Sequence, residues 1–287
     1  PSETSPAMKY PLQKRPNHDR LARRSGFGWR HLSSPLRRLP DFVIAGAMKS
    51  GTTTLYTMLT RHPKILPAFR KEVHYFDYAH FKGKRPSWYR AHFPLSLRSA
   101  PGTLTGEASP SYMFKPEALK LMGKLLPKAR IIIILRNPVE RTISQYFHEV
   151  RMGRESLPIE KAIKVEEERL AACGSLNYES AHDVTLHASY KSRGIYVDQI
   201  QKLLEYYPRE QLLVLGSGSL FEDPQATVDR CYAFLGLERA PDPVKPGVKN
   251  KGSNRVDVPP QIYRDLNAYF EPHNGRLFEL LGQTLNW

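Results

Sequence analysis

The stretch from Asp41 to Thr57, Asp-Phe-Val-Ile-Ala-Gly-Ala-Met-Lys-Ser-Gly-Thr-Thr-Thr-Leu-Tyr-Thr, constrains the fold more than any other part of the chain. Phe42 to Ala45 is a short apolar run that reads as a buried strand. Gly46 to Gly51 forms a turn of mostly small residues, and Leu55, Met58 and Leu59 follow at helical spacing. A strand, a glycine turn and a helix in that order present bare backbone amides to a phosphate. Lys49 lies in the turn, and Thr52, Thr53 and Thr54 open the helix. The common triphosphate loop runs glycine, four residues, then Gly-Lys-Ser/Thr. Gly46 and Gly51 keep that spacing, but Lys49 precedes the second glycine and Thr52 follows it. The stretch therefore reads as a phosphate loop of another kind, with no magnesium-triphosphate cradle. A tight turn with a solvated lysine is the plainer alternative.

The remaining chain repeats the strand-helix alternation. Ile131 to Ile134 are four consecutive isoleucines, the pattern of a strand buried on both faces. Arg136, Asn137 and Pro138 follow, then a helix with Val139, Ile143, Tyr146 and Phe147 on its apolar side. Ile65-Leu66, the segment from Leu104 to Gly106 and Leu212 to Leu215 read as further strands, and Pro116 to Leu126 as a helix. Residues 157–171 read as a solvated helix, 172–190 as a loop, and the C-terminus as two helices broken at Pro272. Several strands each followed by a helix predict one three-layer α/β domain over residues 41–287, with a central, mainly parallel sheet flanked by helices. Residues 1–40 read as a basic arm, with Phe27, Trp29, Leu32, Leu36 and Leu39 expected to pack its second half onto the domain.

The net charge of +15 over 287 residues draws the protein to anions: nucleic acid, anionic lipid, acidic glycan or a phosphorylated cofactor. No zinc finger, RNA-binding aromatic motif or basic-leucine repeat is present, so nucleic acid is not the expected partner. No apolar run is long enough to span a membrane, and residues 1–30 carry no signal-peptide core. An upstream anchor removed before Pro1 would alter that reading. Cys173 and Cys231 are the only cysteines, and neither lies in a metal-ligand cluster. A reducing compartment is the simpler reading, and no metal is expected.

Candidate chemistry gathers in four places besides the loop. In Arg70-Lys-Glu-Val-His-Tyr-Phe-Asp77, an extended backbone would turn Glu72 and His74 to one side, where they could transfer protons. A surface carboxylate beside a structural histidine is the alternative. Arg136 stands just beyond a buried strand, where open parallel sheets bind ligands, and Ser144 lies two turns into the next helix. Residues 78–98 interleave Trp88, Tyr89 and Phe93 with Lys82, Lys84, Arg85 and Arg90, which suits either a sugar wall or a helix packed on the core. Lys249, Lys251 and Arg255 surround Gly252, Ser253 and Asn254 in a basic loop that could close over an anion.

Together Lys49, Glu72, Arg136, Ser144 and the 249–255 loop resemble the sulfotransferases that use 3′-phosphoadenylyl sulfate (PAPS). The similarity is greatest to the glucosaminyl 3-O- and N-sulfotransferase branch and its bacterial relatives. It spans about residues 40–287 and rests on Gly46–Thr53, Lys71–Asp77, Leu135–Arg141, the Lys251-Gly252 loop and Tyr269–Asn274. The resemblance implies that Gly46, Lys49, Ser50, Gly51, Thr52 and Thr53 hold the 5′-phosphosulfate end, with Lys49 at the bridging oxygen. It implies that Arg136 and Ser144 bind the 3′-phosphate, while Lys251, Gly252 and Ser253 close over that end. Glu72 would deprotonate an acceptor hydroxyl, expected on a carbohydrate, with His74 near the sulfuryl group and adenosine 3′,5′-bisphosphate (PAP) as product. Lys71, Asp77, Trp88, Arg90, Ser111 and Tyr112 would contact the acceptor or order groups around it.

The chain departs from the branch in two places. Ala108 stands where the eukaryotic 3-O-enzymes carry a substrate lysine, and no cysteine pair flanks the 3′-phosphate loop. The second departure suits a cytoplasmic, bacterial-type enzyme better than one of the Golgi lumen. A lipid, polyketide-bound or small-metabolite acceptor, a nucleotide kinase and a non-enzymatic anion-binding module are the competing readings.

Overall fold

The computed structural model describes residues 27–175, 178–243 and 258–287. Five strands form one sheet in the order β2-β3-β1-β4-β5: β1 Phe42–Gly46, β2 Ile65–Pro67, β3 Leu104–Ala108, β4 Arg130–Leu135 and β5 Leu212–Gly216. Every neighbouring pair is parallel. The α/β class with a central parallel sheet is therefore the observed one.

Alternation along β4 explains the layers. Ile131, Ile133 and Leu135 face one core and Ile132 and Ile134 face another, because successive side chains leave a strand on opposite sides. The first core is covered by helices Pro116–Leu125 and Tyr196–Leu204 and by the end of the C-terminal helix. The second is covered by helices Thr52–Leu59 and Pro224–Leu235, where Cys231 is buried with no disulfide. A run of isoleucines with no polar face is what a central strand covered on both sides requires.

Three helix assignments differ from the sequence reading. Residues expected as a loop contain a helix, Tyr178–His187, whose weak apolar periodicity hid it. Residues 157–171 form two short helices, Ile159–Lys164 and Glu166–Ala171. Glu166 is buried: its carboxylate accepts from the Lys191 and Ser192 amides at 2.6 and 2.9 Å. The C-terminal segment is one helix, Pro260–Leu281, running through Pro272. An internal proline costs roughly 3 kcal/mol. Burial of Ile262, Leu266 and Phe270 on one side of it, and of Leu277 and Leu281 on the other, offsets that cost.

The segment entering β1 is held mainly by polar contacts. Trp29, Leu32 and Leu36 are exposed, contrary to expectation, while Phe27 packs between Phe69, Trp88 and His92 and Leu39 meets the core. Arg30 donates to the Ala91 and Phe93 carbonyls at 2.7 and 2.9 Å, and Arg37 donates to Phe93 at 2.8 Å. Guanidinium forks satisfy loop carbonyls that no strand pairs with.

Candidate active site

The loops leaving β1, β3 and β4 lie side by side at the carboxyl edge of the sheet, where an open parallel sheet places its ligands. After β1, the Ala47 amide donates to Ile134 O at 2.8 Å, tying the loop to β4. A Cβ on Gly46 would lie 2.0 Å from Met113 Sδ, so close packing demands glycine there. Gly51, at φ 99°, takes the left-handed turn into the helix Thr52–Leu59, whose N-terminus has no side-chain cap. Thr52 and Ser50 are buried and Thr53 is exposed. Lys49 is held at φ 69°, a conformation that disfavours any residue with a side chain.

Arg136 emerges directly from β4. Its Nη1 donates to Lys49 O at 3.4 Å, its Nη2 pairs with Glu140 at 3.1 Å, and its own carbonyl accepts from the Tyr196 hydroxyl at 2.9 Å. Asn137 caps the following helix, Pro138–Arg151, accepting from the Val139 and Glu140 amides at 3.0 and 3.3 Å. Ser144 is half-buried on that helix. The Lys49 ammonium is pushed below its ordinary pKa by burial and then by Arg151, Arg136 and Arg141, against only Glu149. A loop ringed by cations is the electrostatic complement of a polyanion.

The second cluster follows β2. Glu72 and His74 are at φ 58° and 53°, and a π-helical turn, Tyr75–Ala79, begins immediately. The backbone is not extended here, yet the two side chains still converge: His74 Nε2 lies 3.8 Å from Glu72 Oε2. Lys71 pairs with Glu72 Oε1. On its other side His74 Nδ1 meets Asp77 Oδ2 at 3.0 Å, and the Ser111 hydroxyl donates to the same carboxylate oxygen. Burial alone would lower the His74 pKa, but Asp77 and Glu72 outweigh it and raise it to about 9. The His74 contact, aided by Lys71, pulls Glu72 down to about 2 against its burial. Burial pushes Asp77 up, and the His74 contact overcomes it, leaving Asp77 below the usual range. Among the described residues, Lys49, Glu72 and His74 are the only non-glycines with positive φ. Strained backbone of this kind concentrates at functional sites.

The structure revises the expected acceptor contacts. Ser111 is buried behind Asp77. Tyr112 is fully buried, its hydroxyl donating to Glu107 at 3.2 Å and accepting from the Tyr75 amide at 2.9 Å. Arg90 donates to Arg37 O at 2.9 Å and anchors the entering segment. Trp88 sits in an aromatic cluster with Phe27, Tyr75 and His92 rather than along a long amphipathic helix, and the helix there is only Pro86–Arg90. Asp77, with no exposed surface, orders His74. Lys71 lies beside Glu72, while Trp88 and Arg90 are partly exposed. Lys251, Gly252 and Ser253 lie outside the described residues. Sequence reasoning missed Glu140 and Tyr196, which hold Arg136; the i,i+4 spacing of Arg136 and Glu140 was the available signal for the first.

A model of the sulfotransferase domain matches residues 39–251, and the chain belongs to that family. It is 28% identical over 273 residues to human heparan sulfate glucosamine 3-O-sulfotransferase 6, covering 88% of this chain and 74% of that protein. It is 27% identical over 279 residues to mouse heparan sulfate glucosamine 3-O-sulfotransferase 5, covering 90% and 76%. The crystal structure of a sulfotransferase from Alicyclobacillus acidocaldarius superposes with a TM-score of 0.70 at 29% identity, covering 86% of this chain and 98% of that one. The protein is thus a PAPS-dependent sulfotransferase that releases PAP. The residues present fit that donor: the open helix N-terminus at Thr52 and the crowded cations around Lys49 suit a doubly phosphorylated anion. Among the described residues no group of acidic, histidine or cysteine side chains could hold a metal, and no helix is long and apolar enough to cross a membrane.

Proposed function

We propose that the protein transfers a sulfuryl group to a carbohydrate hydroxyl, with Glu72 as base and Lys49 at the leaving phosphate. One observation carries the residue assignment: among the described residues, the three strained non-glycines are Lys49, Glu72 and His74, on the loops that follow β1 and β2. The carbohydrate acceptor is supported by the relatives named for heparan sulfate glucosamine.

Bound PAPS supplies the sulfuryl group. Gly51, Thr52 and Thr53 present the helix N-terminus to its 5′-phosphate, and Arg136 with Ser144 takes the 3′-phosphate. Lys49 would place its positive charge where the bridging oxygen gains negative charge as the sulfur–oxygen bond breaks. Of Glu72, His74 and Asp77, Asp77 has no exposed surface and His74 is protonated at neutral pH, so Glu72 is the accessible ionised carboxylate. A carboxylate with so low a pKa is a weak base. It suffices when the acceptor oxygen bonds to sulfur first, because the hydroxyl proton becomes strongly acidic as that bond forms. The His74 imidazolium then faces the negative oxygens of the transferring group, held in orientation by Asp77. Two free thiols among the described residues favour a cytoplasmic setting.

The test is transfer of labelled sulfate from PAPS to a panel containing N-sulfated heparosan, an uncharged chitooligosaccharide and a long-chain alcohol. Sulfation of either saccharide, abolished in Glu72→Gln, is expected. Sulfation of the alcohol alone would replace the carbohydrate reading, and normal turnover by Glu72→Gln would remove Glu72 as base.

A further inference from the structure

The strained Glu72–Tyr75 backbone needs something to hold it, and the buried floor beneath it supplies a carboxyl group in β3. Glu107, in β3, has no exposed surface. Three hydroxyls donate to its carboxylate: Tyr89 at 2.6 Å and Tyr112 at 3.2 Å to Oε1, and Ser109 at 2.7 Å to Oε2. Two of the three are also acceptors from the turn. The His74 amide donates to Ser109 Oγ at 3.3 Å, and the Tyr75 amide donates to the Tyr112 hydroxyl oxygen at 2.9 Å. Tyr89 has no such contact with the turn; its ring stacks on Tyr75.

A hydroxyl has one proton to give. With the Ser109 and Tyr112 protons committed to the carboxylate, their lone pairs must point away from it, toward the two amides. We propose that Glu107 is a positioning residue for sulfuryl transfer. Acting through the Ser109 and Tyr112 hydroxyls, it fixes the His74 and Tyr75 amides and so holds Glu72 and His74 in their left-handed conformation against Asp77. The inference rests on the reading of Glu72 and His74 as the reacting groups. A carboxylate is required because it only accepts. An amide at the same place would present a donor to one hydroxyl, which must turn, and one turn amide would lose its acceptor.

The decisive measurement is hydrogen exchange of the His74 and Tyr75 amides in the full chain without donor or acceptor. Ser109→Ala should speed exchange at His74, Tyr112→Phe at Tyr75, and Glu107→Gln at one or both, each by about tenfold or more. Tyr89→Phe removes a hydrogen bond to the same carboxylate but leaves both relays, so exchange at the turn stays as in the wild type. With PAPS and N-sulfated heparosan, kcat should fall about tenfold in Ser109→Ala and Tyr112→Phe, with KM for PAPS within about twofold. Adding Ser109→Ala to Glu107→Gln should cost less than it does alone. Unchanged exchange in the Ser109 and Tyr112 variants overturns the proposal, as does a kcat loss in Tyr89→Phe equal to theirs, which would mark a general core role. If the wild type sulfates no probe, the acceptor reading fails while the exchange measurement still decides this one.

Discussion

At the scale of single residues, charge state decides what the site can do. His74 keeps its proton to about pH 9, well above the ordinary histidine value of 6.5, because two carboxylates outweigh its burial. Activity that uses the imidazolium should therefore hold through neutral pH and fall as pH rises through about 9. The expected result is an alkaline limb in kcat/KM that disappears, at a lower overall rate, in His74→Asn. The sign for stability is the same: a raised pKa gives stability below 6.5 that is lost as pH rises to about 9. Chemical denaturation of wild type and His74→Asn at both ends of that window checks it. Lys49→Ala should lower kcat by roughly 10²–10³, the usual loss for one well-placed charge donor. Arg136→Ala should leave kcat less affected and weaken PAP by roughly 10- to 100-fold. Calorimetry with PAP and with adenosine 5′-phosphate measures this, and the preference for the extra phosphate should shrink.

At the scale of elements, the strand ends and their turns set the geometry. Gly216 closes β5 under the chain terminus, where a Cβ would lie 1.9 Å from Asn286 O and the Gly218 amide donates to the same oxygen at 3.1 Å. Backbone cannot swing aside as a side chain can, so Gly216→Ala should destabilise by about 1–3 kcal/mol. Urea denaturation measures it, with a lower midpoint and an unchanged slope expected. The turn after β2 shows how an element escapes pattern reading. An extended backbone over residues 72–77 would turn Glu72 and His74 to one side, but the Glu72 amide donates to Ala108 O at 3.1 Å and the chain then coils into a π-helical turn. The convergence of Glu72 and His74 came from tertiary contacts, and the expected extended geometry played no part.

At the scale of the whole molecule, the charge of +15 draws anions to the surface. At physiological ionic strength the Debye length is about 8 Å, so most of that field is screened except near the surface. KM for an anionic polysaccharide should therefore rise steeply with salt, whereas KM for an uncharged saccharide changes little. Steady-state assays across a salt series distinguish the two. Two cores on opposite sides of one parallel sheet leave the carboxyl edge free for the loops after β1, β3 and β4.

The sequence by itself determined the sheet and the family. Four isoleucines in a row, a glycine turn between strand and helix, and an arginine just past a buried strand are local patterns, and local patterns survive without knowledge of the fold. Lys49, Glu72 and Arg136 were legible because each belongs to a short motif. The structure decided which side of each motif is buried. Ser111 and Tyr112 read as acceptor contacts and proved buried, because a short polar stretch after a strand carries no signal of its direction. Glu107 carried no role on sequence grounds, since a buried carboxylate is recognised only by the hydroxyls brought to it from residues 89, 109 and 112. The helix through Pro272 likewise depended on packing from two separate cores. Propensity and spacing act within a few residues, whereas burial and hydrogen-bond partnership are properties of the assembled chain.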